Sequence, residues 1–479
     1  MFWNSVEEKL AFHRQVTVGW MLHLLSFGLC AWGVCERTVQ ADEPCRLEIV
    51  DQEGWPVPLV ELRTVHGVRL VSDNAGLICF DLPELMEQET FLTVIGHGYG
   101  VPVDGFGYRG VRLMPRPGAT LQVKLRRTSL ARRLGRLTGA GLFAESQKLG
   151  EAVKTPESGV LGCDSIQSVS FQRRRYHFWG DTNLANYPLG IFHMTGATTD
   201  DLPLSRLQPP LNHSYDYFRD AKNRPKAMVP MEGSGPVWLS GLAVVPDQRG
   251  TEHIVCTYSR ITPPLTTHEV GLCIWNPQEE RFILHRKVWE KSDSQPEPPP
   301  VPMGHVVDWK DSQGQSCLLF GDPLPKMKIA KSFEAWQSQD AWQVLTPQET
   351  IAAKDEQHAP VRPHSGSMAW NAYRQKWVTV FMQHFGKPSV FGEIWYAEAD
   401  TPLGPWKSAV KILSHENYTF YNPRLRDDLS PPGSPILCFE GTYTHTFSDN
   451  KEPTPRYDYN QILYRLDLDQ PELHSEAEE

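Results

Sequence analysis

Short apolar runs with polar residues at alternate positions recur along most of the chain, broken by turn formers, and that spacing predicts strands. From Cys45 to Arg127 the runs Arg46–Val50, Val57–Arg63, Leu77–Phe80, Phe91–Ile95 and Leu121–Leu125 alternate with turns such as Ser72-Asp73-Asn74-Ala75-Gly76. This is the pattern of a small antiparallel sandwich of about seven strands. Between Thr128 and Gly150 the period changes: Leu130, Leu134 and Leu137 recur at helical spacing after a Ser/Thr start, and Gly139 can end the element. A short amphipathic linking helix is predicted there, with Arg126, Arg127, Arg132, Arg133 and Arg136 on a solvated face packed between domains.

From about Leu161 to Leu468 five segments each pair one short strand with a second that ends in an acidic or aromatic turn. They begin at Cys163-Asp164-Ser165, Pro236-Val237-Trp238, Met303-Gly304-His305, Pro363-His364-Ser365 and Phe420-Tyr421-Asn422. Five such meanders of about 50 to 60 residues are the signature of a propeller. The fold expected is all-β: a five-bladed β-propeller over 161–470, preceded by the sandwich at 42–127 and a linker with a short helix at 128–160. Residues 471–479 form an acidic tail. The stretch Arg456-Tyr457-Asp458-Tyr459-Asn460 either closes the ring or, through Arg456, receives an acidic substrate.

One apolar run, Val16 to Val34, lies outside these patterns. It follows His13 and Arg14 and precedes Val39-Gln40-Ala41, so 1–41 reads as a signal peptide cleaved after about Ala41. The lesser alternative is an uncleaved membrane anchor. Secretion or periplasmic export follows, with no stable membrane span after cleavage. Seven cysteines then remain, without C-x-x-C or zinc-type spacing; Cys45 and Cys79 form either a disulfide or two separate buried thiols.

Composition supports a globular β protein, since 40% of residues are hydrophobic and 22% charged, with 39 prolines and 36 glycines to supply turns. The net charge of −10 argues against a nucleic-acid partner. The sequence has no G-x-x-x-x-G-K-[ST] loop, no G-x-G-x-x-G leading from a strand into a helix, no H-E-x-x-H and no G-x-S-x-G elbow.

The phrases Trp179-Gly180-Asp181-Thr182-Asn183, Ala399-Asp400-Thr401-Pro402-Leu403-Gly404-Pro405-Trp406 and Phe439-Glu440-Gly441-Thr442-Tyr443-Thr444 resemble those of five-bladed propeller glycoside hydrolases of the arabinanase and invertase-like kind and their secreted bacterial relatives. The turns Gly54-Trp55-Pro56-Val57-Pro58, Ser72-Asp73-Asn74-Ala75-Gly76 and Gly96-His97-Gly98-Tyr99-Gly100 resemble carboxypeptidase-regulatory or transthyretin-like sandwiches. The propeller resemblance implies an exported carbohydrate-active protein that hydrolyses a polysaccharide or oligosaccharide at the propeller mouth. The alternative is a non-catalytic propeller that binds glycan or protein. Glycoside hydrolysis needs two carboxyls, one protonated and one ionised. The resemblance places the base at Asp164; of the remaining acids, Glu440 is expected as the acid and Asp181 as the carboxylate that tunes both. The second and third inner strands depart from the family by offering Trp238 and His305 where acids belong. Asn183, Trp238, His305, Asp322, His364, Glu393, Asn422, Tyr443, Arg456 and Tyr459 are the expected substrate contacts. The same acids could instead cap turns, and the histidines could be core groups. No cofactor is called for; a channel so rich in oxygen could take a structural calcium or sodium ion, but no ligand spacing identifies one. Oligomeric state is not legible.

Overall fold

The computed structural model describes residues 43–154, 158–191, 193–200, 209–233, 235–355 and 357–474; the expected signal peptide and residues 475–479 of the expected tail lie outside them. Two four-stranded sheets form the N-terminal part. One contains Leu77–Phe80, Cys45–Asp51, Thr120–Arg127 and Tyr99–Gly100; the other contains Arg69–Val71, Glu61–Thr64, Thr90–Ile95 and Gly110–Leu113. Leu47, Ile49, Val60, Leu62, Phe80, Leu92 and Val123 fill one core between them. The arrangement is not wholly antiparallel as expected. Cys45–Asp51 runs parallel to Thr120–Arg127, which is open to two strands joined by the whole intervening chain rather than by a hairpin.

Cys45 and Cys79 are both free. Cys45 stands opposite Phe80 and Cys79 opposite Arg46. That offset of one residue turns the two thiols to opposite faces of the sheet.

Most of the remaining described residues build five successive four-stranded antiparallel sheets, with a small three-stranded sheet of Val160–Cys163, Thr182–Leu184 and Tyr187–Ile191 beside sheet one and a two-stranded one of Ile351–Ala352 and Pro360–Val361. Sheet one holds Gln167–Phe171, Arg174–Trp179, Thr195–Asp200 and Asp216–Tyr217, and sheet two Val237–Pro246, Glu252–Thr262, Thr266–Asn276 and Arg281–Glu290. Sheet three holds His305–Lys310, Ser316–Gly321, Pro325–Ala330 and Gln343–Val344. Sheet four comprises Pro363–Asn371, Lys376–Gln383, Glu393–Ala399 and Lys407–Ser414. Sheet five takes Thr419–Leu425, Ile436–Thr444 and Asn460–Asp467, and its outermost strand is Arg132–Arg136. The five first strands stand side by side and line a cavity of about 520 Å³ with Ile166, Leu242, His305, Met368 and Arg424 among its walls. Hydrogen bonds from Tyr421 to Asp164 and from Asn422 to Ser165 join the fifth first strand back to the start of sheet one.

The ring is therefore closed by sequence that precedes it, not by the stretch around Arg456. The predicted helix over Leu130–Leu137 is a strand, antiparallel to Asn460–Asp467. Three leucines at helical spacing are outweighed by an unpaired sheet edge, whose backbone groups this segment satisfies. The linker's helix lies further on, at Ala144–Lys148.

Of the five arginines expected on a solvated helix face, Arg126 is exposed and Arg127 half-buried at the end of the strand Thr120–Arg127, while Arg132 is buried in the closing strand. Arg133 and Arg136 are buried. Arg133 donates to the carbonyls of Pro58 (2.9 Å), Leu59 (3.1 Å) and His97 (2.9 Å), so one guanidinium ties three carbonyls of the N-terminal part to the ring. Its five fixed donors suit it to this role, where a lysine would serve fewer acceptors.

Candidate active site

Antiparallel order returns the end of each second strand to the level where its first strand begins. Asp164 stands just before the first strand of sheet one and Asp181 just after the second. A backbone hydrogen bond from Gly180 N–H to the Asp164 carbonyl, 2.7 Å, holds these two turns together. Gly180 is needed there because a β-carbon on it would lie 2.0 Å from Asp164 Oδ1. The rest of the Trp-Gly-Asp-Thr phrase supports that contact: Trp179 is fully buried, and Thr182 Oγ1 donates to the Gly180 carbonyl at 3.1 Å. Gly180→Ala is expected to displace the Asp164 carboxyl and to lower the melting temperature. Calorimetry checks the melting temperature, and carbon-13 NMR of the Asp164 carboxyl checks the displacement.

The Asp164 carboxyl receives the Tyr421 hydroxyl at 2.5 Å and further hydrogen bonds from Tyr459, Ser165 and the Asp181 N–H. Burial raises its proton affinity and these donors oppose it, leaving a pKa of about 6. Asp181 accepts from Trp238 Nε1 at 2.8 Å. Burial first, and then the Asp164 charge, push Asp181 up to about 7. Two partly accessible carboxyls in adjacent turns therefore hold a proton near neutrality.

Opposite them, Asp322 accepts from Gly366 N–H at 2.8 Å and from Arg424 Nη1 at 2.9 Å. His305 is a cavity wall: its Nε2 donates to the Met368 carbonyl at 3.0 Å, and burial followed by the Arg424 charge lowers it to about 4, so it is neutral. Asn422 donates from Nδ2 to Ser165 Oγ at 2.7 Å, and the Ser165 N–H donates to Thr442 Oγ1 at 3.0 Å. His364 is exposed and stacks on His384 with ring centroids 5.2 Å apart.

Five expected site residues are placed elsewhere. Glu440 is fully buried and paired with Arg426, which also holds Asp428 at 2.7 Å and 2.8 Å. It lies two residues down the strand from Thr442, on the same face and so below the mouth; a group sealed in that ion pair cannot meet a substrate. Tyr443 is buried with its hydroxyl 2.8 Å from His97 Nε2 and 3.1 Å from Thr454 Oγ1, at the boundary with the N-terminal sheets. Arg456 donates to Glu145 at 2.6 Å, beside the helix Ala144–Lys148. Glu393 is buried and taken up by Ser414 Oγ at 2.6 Å and Lys411 Nζ at 2.7 Å. Asn183 accepts from Leu189 N–H at 2.7 Å, fixing its own hairpin. Arg424 was not legible as a site residue, because nothing in the sequence shows that it would reach Asp322 on another sheet.

Among the described residues no group of three or more His, Cys, Asp or Glu side chains is poised to hold a metal, and no helix is long and apolar enough to cross a membrane.

No family model matches the chain, and no curated protein does. Solved structures similar to it include an exo-β-1,3-galactanase from Phanerochaete chrysosporium in complex with galactose, at 11% identity over 67% of this chain and 64% of that one, with a TM-score of 0.39. An exo-1,5-α-L-arabinanase from a bovine ruminal metagenomic library shares 10% identity over 65% of this chain and 94% of its own, with a TM-score of 0.37. A β-xylosidase gives 12%, 65%, 93% and 0.37 in the same order. This chain thus spans just under two thirds of the galactanase. At these values no residue role, substrate or activity passes from those proteins to this one.

Proposed function

We propose that the protein hydrolyses glycosidic bonds at the mouth of a five-bladed propeller, with the N-terminal sheets as a fixed sandwich domain. The observation that carries this reading is the Asp164–Asp181 pair, two partly accessible carboxyls raised to about 6 and about 7 in adjoining turns at the end of the ring where the first strands begin. Near neutrality Asp164 is the ionised partner and Asp181 the protonated one. Asp181 donates its proton to the departing glycosidic oxygen, while Asp164 activates water or attacks the anomeric carbon. Tyr421 and Tyr459 hold the Asp164 carboxylate in place, and Trp238 orients Asp181. The acid role expected of Glu440 thereby passes to Asp181.

A second reading, a glycan-binding propeller without turnover, is favoured by the commitment of Asp322 to Arg424 and of Glu440 to Arg426. Reducing-end release from arabinan, β-1,3-galactan and xylan, measured for the parent and Asp164→Asn, separates the two. Release by the parent alone supports hydrolysis; binding with no release from any polymer supports the second reading. Export rests on the segment 1–41, and sequencing the N-terminus of protein recovered from its producing cell would show whether the chain starts after about Ala41.

A further inference from the structure

Two phenylalanines stand in water at the mouth. Phe385 is 63% exposed and Phe447 57%. Each follows the second strand of its sheet, Lys376–Gln383 in sheet four and Ile436–Thr444 in sheet five. Each also has a left-handed backbone, with φ of 53° and 63°. Bulky residues rarely adopt that strained conformation, which is kept mainly where a functional surface requires it. Exposing an aromatic ring there forgoes its burial as well.

The two rings belong to a continuous series. Tyr421, whose hydroxyl holds Asp164, lies 6.3 Å from Phe447 between centroids; Phe447 lies 6.4 Å from Phe391, and Phe391 lies 5.6 Å from Phe385. Phe391 also adjoins His364 at 5.4 Å. The series thus leads from the carboxyl pair across sheets five and four. Loop hydrogen bonds fix it at both ends: Gly386 N–H to the Val390 carbonyl at 3.0 Å, and His445 N–H to Asp458 Oδ1 at 2.7 Å.

We propose that Phe447, Phe391 and Phe385 form a stacking track for an extended glycan chain that enters the carboxyl pair from the side of sheets four and five. This deepens the glycosidase reading and rests on it for the identity of the occupant. Sugar rings present C–H faces that pack on aromatic π-systems, while their hydroxyls stay in water. The two centroid steps within the track, 6.4 and 5.6 Å, with the further 6.3 Å from Phe447 to Tyr421, exceed one sugar ring, so the track suits a polymer more than a monosaccharide. A pocket would enclose a chain end; an open track accepts the middle of a chain.

The test uses the full chain carrying Asp164→Asn to prevent turnover, with affinity electrophoresis on arabinan, β-1,3-galactan and xylan. Adding Phe385→Ala and Phe447→Ala is expected to weaken retention on the bound polymer at least tenfold, with an unchanged circular dichroism spectrum. The control is Phe106→Ala on the N-terminal sheets, where the ring is 90% exposed; it leaves retention as it was. Equal retention by the double variant and its parent overturns the track, as does failure of the parent to bind any of the three polymers. Failure of the hydrolytic reading looks different: retention still falls in the double variant, but the protein with Asp164 intact releases no reducing ends.

Discussion

Asp164→Asn is expected to lower turnover at least a thousandfold without loss of fold, since the amide keeps the shape but can neither accept a proton nor attack. Asp181→Asn removes the proton donor and is expected to cost least with substrates whose leaving group needs no protonation. The parent's activity should follow a narrow bell. It rises as Asp164 ionises through about 6 and falls as Asp181 loses its proton through about 7. In Asp164→Asn the repulsion that helps to raise Asp181 is gone, so carbon-13 NMR should find Asp181 titrating below about 7. An unmoved Asp181 would break the proposed pairing. The same shifts carry a stability cost. Both carboxyls bind protons more tightly folded than unfolded, so their contribution is fully present below about pH 4 and is lost as pH rises through 6 and 7.

Arg426→Leu is expected to destabilise the protein by about 3–5 kcal/mol, the range for breaking a buried ion pair from one side. It leaves Glu440 fully buried and Asp428 nearly so, without their cation. Urea unfolding monitored by tryptophan fluorescence measures the loss. Glu440→Gln should behave differently, since Asp428 still balances Arg426. Its melting temperature falls, but kcat on any hydrolysed polymer stays within twofold of the parent. A collapse of kcat at full folding would return the acid role to Glu440. Burial raises the Asp428 pKa, but Arg426 outweighs it and holds the carboxyl well below the usual range. That contribution is present above about pH 4 and is lost as pH falls further, so the parent should resist acid better than Arg426→Leu does.

How far the sequence reveals this site depends on the kind of information each residue carries. Asp164, Asp181 and Trp238 could be read because they stand at strand ends, and antiparallel order alone brings such ends together. Glu440 and Tyr443 stand three residues apart on an equally legible strand, yet one faces Arg426 and the other His97. Alternation gives two faces without saying which meets the mouth or how deep a residue sits. Leu130, Leu134 and Leu137 misled because a spacing of four and three residues also fits a buried strand with a glycine, here Gly135, at its crowded point. Phe385 and Phe447 escaped notice because turns have no period, so an aromatic residue there signals nothing until its neighbours are known.

The closing strand sets the order in which the molecule can be completed. Arg132–Arg136 leaves the ribosome before any other strand of the ring, but its partner Asn460–Asp467 is the last of the ring's strands to be made. Pairing across so much chain is entropically slow. Until it forms, sheet five lacks its outer edge and Arg133 lacks the finished wall beside it. A chain in which this pairing has not formed would thus expose two bare strand edges, each complementary to the other edge on a second copy, which makes strand exchange between molecules the characteristic misassembly of this topology.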